Sequence, residues 1–218
     1  MRTFLLFDLD GTLTDPKEGI TRSVQYALSA MGIEEEDREK LCPFIGPPLA
    51  ESFREFYGFN QEQARRAVRE FQVYFRERGK FENRAYDGID EMLGRLKEAG
   101  FTLAVATSKP EIFARQILEH FGLLSYFTAV FGADLEETRV RKGEIIADAL
   151  AALGADAGRD RIRMIGDRRH DVEGAHENGI PCVAVEYGYG SQEEFDACGA
   201  DWRAGSVREL EELLLSAC

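Results

Sequence analysis

The stretch Phe4-Leu5-Leu6-Phe7-Asp8-Leu9-Asp10-Gly11-Thr12 runs through apolar residues and then presents two carboxylates, two positions apart. Near-continuous apolarity over a few residues fits a strand buried on both faces of a parallel sheet. On an extended chain, side chains two apart point the same way, so Asp8 and Asp10 are expected to leave the strand together. In open α/β sheets, ligands and chemistry collect at the carboxyl ends of strands. A surface turn with two solvated acids is the alternative. Against it, acids at the end of a buried strand are costly without a metal or a cationic partner.

Working outward, similar apolar runs recur at Leu103–Thr107, Ala129–Phe131, Ile162–Ile165 and Cys182–Val185. Helical patterns lie between them at about 88–99, 110–121, 142–153 and 171–178, followed by Gly100, Gly122, Gly154 and Gly179, where a left-handed C′ residue is wanted. Strand–helix alternation predicts a doubly wound α/β core with a parallel sheet. Residues 15–84 break the alternation and contain no convincing strand. Asp15-Pro16-x-Glu18 reads as an N-cap, a proline in the first turn and a capping-box acid. Ile20, Val24, Ala27, Leu28 and Met31 then follow one helical face, and Asn60 caps a second helix carrying Ala64, Ala67, Val68, Phe71 and Phe75. The division predicted is a core of residues 1–14 and 85–218 with a small helical domain, 15–84, inserted after the first strand.

Of 218 residues, 44% are hydrophobic, enough for one core and a small satellite. The net charge of −13 opposes binding along DNA or RNA but leaves room for a small anion held by a metal and a few fixed cations. No apolar stretch approaches the ~18 residues of a membrane span. The cysteines, Cys42, Cys182, Cys198 and Cys218, form no C-x-x-C pair, and reduced thiols in the cytoplasm are expected. A monomer is favoured.

Three further segments carry chemistry. Ala106-Thr107-Ser108-Lys109-Pro110 offers a hydroxyl at a strand end and the start of a helix, either as an anion site or as simple capping by Ser108. Arg139-Val140-Arg141-Lys142 places cations just before a helix, where the dipole disfavours them unless they have another partner. Met164-Ile165-Gly166-Asp167-Arg168-Arg169-His170-Asp171 again stops an apolar run at an acid, with a second acid four residues on. Four carboxylates, a hydroxyl and a lysine form a set suited to phosphoryl transfer: Mg²⁺ takes oxygen ligands and shares them with phosphate, and a carboxylate can serve as nucleophile.

This order of motifs resembles the haloacid dehalogenase-like hydrolase superfamily over essentially the whole chain, with the insertion similar to its C1 cap. Phe44-Ile45-Gly46-Pro47-Pro48-Leu49, Thr107-Ser108-Lys109-Pro110 and Gly166-Asp167-Arg168-Arg169-His170-Asp171 resemble its phosphoglycolate phosphatase-like and 5′-nucleotidase-like members. Phosphoglycolate phosphatases of the family often have Ser where Arg168 stands, which turns the reading away from phosphoglycolate itself. The resemblance implies a Mg²⁺-dependent phosphomonoesterase acting on a small metabolite: a 5′-nucleotide, phosphoglycolate or a sugar phosphate. It implies that Asp8 attacks phosphorus while Asp10 protonates the leaving oxygen and then activates water. Mg²⁺ would be held by Asp8, the Asp10 carbonyl, Asp167 and Asp171. Leu9, Gly11, Thr107, Ser108 and Lys142 would bind phosphate, with Arg139 and Arg141 as alternatives to Lys142. Glu18, Ile45, Gly46 and Pro47 would face substrate from the cap.

Competing readings remain on the same residues. A dehalogenase needs no leaving-group acid, so Asp10 and the metal set argue against it. A phosphonate-cleaving relative would want a Schiff-base lysine on the cap, and Lys17 and Lys40 are available. A phosphomutase requires a cap that excludes water. A receiver-type signalling module lacks both the second acid and the helical insertion. His170 reads as an accessory of the metal motif, and His120 and His176 as surface residues. Trp202 reads as packing, Arg65-Arg66 and Arg69 as a solvated helix face. Gly188-Tyr189-Gly190 is a poor match to a nucleotide loop.

Overall fold

The computed structural model describes residues 2–135 and 138–216, so Cys218 lies outside it. Along the chain, strand β1 spans Thr3–Phe7, β2 Thr14–Asp15 and helix α1 Lys17–Ala30. A 3-10 turn at Arg38–Phe44 leads to α2, Leu49–Tyr57, and α3, Gln61–Tyr74. Then come a π-type turn at Phe75–Gly79, β3 at Arg84–Ala85 and α4 at Ile89–Glu98. The second half alternates β4, Thr102–Pro110; α5, Glu111–His120; β5, Ala129–Ala133; α6, Lys142–Leu153; and β6, Arg161–Gly166. It closes with α7, Arg169–Glu177; β7, Cys182–Val185; α8, Gln192–Cys198; β8, Trp202–Ala204; and α9, Val207–Ser216.

Six strands form one parallel sheet in the order β5-β4-β1-β6-β7-β8. The chain builds outward from β1 through β4 to β5, then returns to the other side of β1 for β6. That reversal opens a crevice at the carboxyl ends of β1, β4 and β6. Register brings those ends level, since Phe7 stands beside Val105 on one side and Ile165 on the other. The first acid of the chain, the acid after β6 and the hydroxyl of β4 therefore converge.

Both faces of β1 are buried, as its unbroken apolarity predicts. Phe4 and Leu6 join Ile145, Ile146, Val172 and Ala175 of α6 and α7 on one face. Leu5 and Phe7 join Met92, Leu93, Ile117 and Leu214 on the other, in a cluster that continues into the inserted segment through Val24, Phe53 and Phe71. Asn60 caps α3 as expected, in a reciprocal box with Gln63 at 2.9 Å each way.

Several local expectations change. Residues 14–15 and 84–85 pair as a two-stranded antiparallel ribbon where the insertion leaves and rejoins the core. Two residues a side are too few to show periodicity. Strand β8 is likewise short, and Trp202 at its start lies half out in solvent under the Arg163 guanidinium, 4.4 Å from the ring centroid. Strand β4 runs on through Pro110, so Ser108 caps nothing: its Oγ donates to the Val140 carbonyl at 3.0 Å. The Asp15 carboxylate does accept the Lys17 N–H at 3.1 Å, but Glu18 is no capping-box acid and pairs with Arg22 at 2.6 Å. Among the described residues, no helix is long and apolar enough to cross a membrane.

Phe53 is fully buried, edge-on to Phe44 at 4.9 Å and stacked on Phe59 at 5.8 Å. Phe53→Ala is expected to destabilise the protein by about 3–5 kcal/mol, the usual cost of emptying an aromatic site. Urea unfolding of both forms checks this, and a loss below about 1 kcal/mol would show that the inserted helices do not share the cooperative core.

Candidate active site

Asp8 follows β1 directly and its N–H still donates to the Ile165 carbonyl at 2.8 Å, which fixes the backbone at the sheet edge. Its Oδ1 lies 2.9 Å from Lys142 Nζ, and the same ammonium reaches Asp171 Oδ1 at 2.8 Å and the Ala106 carbonyl at 3.1 Å. Of the three cations considered, Lys142 is the one that reaches these acids. Arg139 pairs with Asp148 at 2.5 Å and Arg141 with Glu177 at 3.2 Å, both out in solvent. Lys142 opens α6 and reaches inward because α7 passes very close. A Cβ at Gly174 would meet Gly143 N at 2.8 Å and Lys142 Cγ at 3.0 Å, so only glycine allows this approach. Burial disfavours the charge on Lys142, but Asp171 and Asp8 outweigh it and hold its pKa above the usual lysine range.

Asp167 is fully buried beside them. Its Oδ2 accepts the Tyr189 N–H at 2.8 Å, while Oδ1 has no hydrogen-bond partner. Gly11, at φ +78°, makes room for it, since a Cβ there would lie 2.0 Å from Asp167 Oδ2. Asp8, Asp167 and Asp171 each offer an oxygen within 4.8 Å of the others, all buried. Burial, then the neighbouring Asp171 and Asp8, raises the Asp167 pKa well above the ordinary carboxylate value. Burial likewise pushes Asp171 up to about 6 despite the opposing Lys142. Three buried oxygen donors with one ammonium between them, one oxygen unpartnered, fit a hard divalent cation such as Mg²⁺.

Asp10 turns elsewhere. The chain leaves β1 after Phe7 and doubles back, with Gly11 N–H donating to the Thr14 carbonyl at 2.7 Å. The two-residue alternation expected from an extended strand stops there, and the Asp10 carboxylate departs from the acid trio. Its Oδ2 sits 2.7 Å from Lys109 Nζ. Burial raises the Asp10 pKa, with Lys109 opposing. Lys109 is buried too, its ammonium 4.4 Å from the Phe75 ring centroid. Sequence reasoning missed it as a site residue, although a lysine directly after a strand-end hydroxyl was the signal.

The remaining candidates divide. Thr107 is buried within β4, where the pairing with β5 shifts register, its Oγ1 accepting the Lys109 N–H at 3.3 Å. Leu9 places its side chain in the core, and the Gly11 N–H is engaged by Thr14, so Gly11 supplies shape rather than a donor. Gly46 and Pro47 line a cavity of about 50 Å³ above Asp10 and Lys109, walled also by Phe44, Phe71 and Phe75. Ile45 buries its side chain in the core and offers its carbonyl to Arg168 at 2.6 Å. Glu18 does not join them: it pairs with Arg22 and Arg38 beside a separate surface depression.

Lys17 and Lys40 pair with Glu39 and Glu35 and do not line the cavity above Asp10. His170 carries an unpartnered Nδ1 and, mainly through burial, a pKa lowered to about 4, but it is not one of the clustered acids. His120 rests against Phe81 and Phe121, and His176 pairs with Asp201 at 2.8 Å. The loop at 188–190 is a brace: Tyr189 holds Asp167 through its N–H and Asp15 through its hydroxyl.

Comparison with known proteins agrees with this geometry. A family model described as haloacid dehalogenase-like hydrolase matches residues 5–185. A 5′-nucleotidase of Pseudomonas aeruginosa is 50% identical over 97% of this chain and 95% of its own. The tyrosine-protein kinase PtkA of Mycobacterium tuberculosis is 39% identical over 96% of this chain and 72% of its own. The crystal structure of a predicted phosphatase from Clostridium acetobutylicum superposes with a TM-score of 0.96 at 46% identity, covering 99% of each chain. By these matches the chain belongs to the haloacid dehalogenase-like hydrolase family and is one of its phosphatases.

Proposed function

We propose that the protein hydrolyses a small phosphomonoester, a 5′-nucleotide foremost, through phosphorylation of Asp8. The observation that carries this reading is the divergence of two neighbouring acids. Asp8 belongs to the acid trio and meets Lys142, whereas Asp10 meets Lys109 and lines the cavity with a raised pKa. A nucleophile must stay ionised beside cations, and a general acid must hold a proton where the leaving group departs.

Asp8, Asp167 and Asp171, with the Asp10 carbonyl, would hold Mg²⁺, and when bound it would neutralise charge shared by carboxylate and phosphoryl group. The Asp8 carboxylate attacks phosphorus and the ester P–O bond breaks. The departing oxygen takes the Asp10 proton. Water then attacks the acyl phosphate, giving its proton back to Asp10, and inorganic phosphate leaves with Asp8 regenerated. Lys142, Thr107 and the main chain at Leu9 and Ser108 would position the phosphoryl oxygens. Residues 15–84 would act as the cap that excludes bulk water and selects the leaving group. The preference for a 5′-nucleotide rests on the Pseudomonas relative, since the cavity of about 50 Å³ above Asp10 is too small to enclose a nucleoside. The free thiols Cys42, Cys182 and Cys198 support a reducing, cytoplasmic setting.

Three outcomes are expected. Hydrolysis of an aryl phosphate should stop in excess chelator and return with Mg²⁺ but not with Ca²⁺, whose looser coordination suits the site poorly; full activity in chelator would remove the metal from the mechanism. Asp10→Asn should slow alkyl phosphates by ~10²–10⁴-fold and aryl phosphates much less in the first step, with a burst of leaving group, because a good leaving group needs no proton. Equal loss on both, without a burst, would mean that Asp10 is not the acid. Lys109→Met removes a cation that lowers the Asp10 pKa. The pKa should therefore rise, and the alkaline limb of the kcat/KM profile for alkyl phosphates should move to higher pH. An unmoved limb would separate Lys109 from the acid.

A further inference from the structure

Arg168 stands between two of the three clustered acids, yet its side chain leaves their loop altogether. Its Nη1 donates to the Ile45 carbonyl at 2.6 Å, across to the inserted segment. Its Nε donates to Glu194 Oε1 at 3.1 Å, and that same oxygen accepts the Arg169 N–H at 2.7 Å. The Arg168 N–H in turn donates to Asp171 Oδ2 at 3.1 Å. One residue therefore touches a carboxylate of the metal cluster with its backbone and the cap with its side chain. The approach to the cap is tight. A Cβ at Gly46, where φ is +101°, would lie 2.9 Å from Arg168 Cγ.

The turn held this way is the wall of the substrate cavity, because Gly46 and Pro47 line it over Asp10. Ile45 cannot adjust freely, since its own side chain is sunk in the core. Both the guanidinium and the Glu194 carboxylate are mostly shielded, at 15% and 17% exposure, so their charge-assisted bonds are screened less than those of a surface pair. The task also suits arginine specifically. A planar fork donates in two fixed directions at once, whereas a lysine ammonium is a single flexible point.

We propose that Arg168 is a positioning and specificity residue that sets the height of the Ile45–Pro47 turn above the metal loop. The cavity is thereby gauged from the phosphoryl end, and the leaving group is selected by its fit beneath the turn. The proposal rests on the phosphomonoesterase reading for its substrate half, while its structural half stands apart from turnover.

The test compares Arg168→Ala, Arg168→Lys and Glu194→Ala with the unmodified protein, in two readouts. Amide hydrogen exchange at Phe44, Ile45 and Gly46 should quicken at least tenfold in Arg168→Ala and less in Arg168→Lys and Glu194→Ala, with exchange in β1 and β4 unchanged. With Mg²⁺, KM for adenosine 5′-monophosphate should rise about tenfold in Arg168→Ala, while kcat for p-nitrophenyl phosphate stays within about twofold. The ratio of the two kcat/KM values should fall accordingly. Unchanged exchange at residues 44–46 would overturn the proposal, as would quickened exchange with an unchanged ratio. If the unmodified protein hydrolyses neither compound, the phosphomonoesterase reading fails, and quickened local exchange still supports the strap from Arg168 to the cap. Glu194→Ala keeps the test open should either Arg168 variant fold poorly.

Discussion

Three carboxylates buried within 4.8 Å of one another at the edge of a parallel sheet, with a lysine ammonium among them, are the constraint on which the site depends. Like charges so close in a poorly hydrated place are held there only by surrounding structure. That structure is visible. Lys142 is drawn inward past Gly174, Gly11 gives Asp167 its space, and Tyr189 supplies the N–H that Asp167 accepts. Each of these residues makes sense only as support for a cluster that would otherwise repel itself or take up protons. The same cluster explains why the chain invests in a crevice at the β1–β6 switch point rather than closing it with apolar side chains.

Asp8 and Asp10 show how one short motif yields two environments. They are two residues apart, but the strand ends between them. Asp8 stays in the sheet's hydrogen-bond register and meets the charged cluster. Asp10 follows a tight return and meets Lys109 beneath aromatic residues of the inserted helices. A difference in backbone direction thus becomes a difference in environment: one acid meets Lys142 and the other Lys109. On the Asp10 side the inserted segment contributes walls of the cavity through Phe44, Phe71 and Phe75.

The inserted segment is joined to the core by more than its connecting ribbon. Its aromatic residues continue the cluster that covers one face of the sheet, Gln72 donates to the Leu135 carbonyl at 2.8 Å, and Arg168 reaches the Ile45 carbonyl. These contacts fix the inserted segment against the sheet edge that carries the clustered acids.

The fold class and the acidic centre were legible in the sequence because they depend on local pattern. Unbroken apolar runs of about the right length mark buried parallel strands, and the acids that end them mark the catalytic edge. Asp8 and Asp167, which end two such runs, were readable on that ground as neighbours at one sheet edge. Short or mixed elements were not: the ribbon at 14–15 and 84–85 and the edge strand Trp202–Ala204 are too brief for a period to show. Other assignments needed the tertiary structure because they are decided by distance between remote segments. Only the fold could choose Lys142 over Arg139 and Arg141, bring Lys109 to Asp10, carry Glu18 out to Arg22, and lay Arg168 across 123 residues of sequence onto Ile45. Local propensity and burial are written into neighbouring residues, whereas the partner of a buried charge is chosen by the packing of the whole chain.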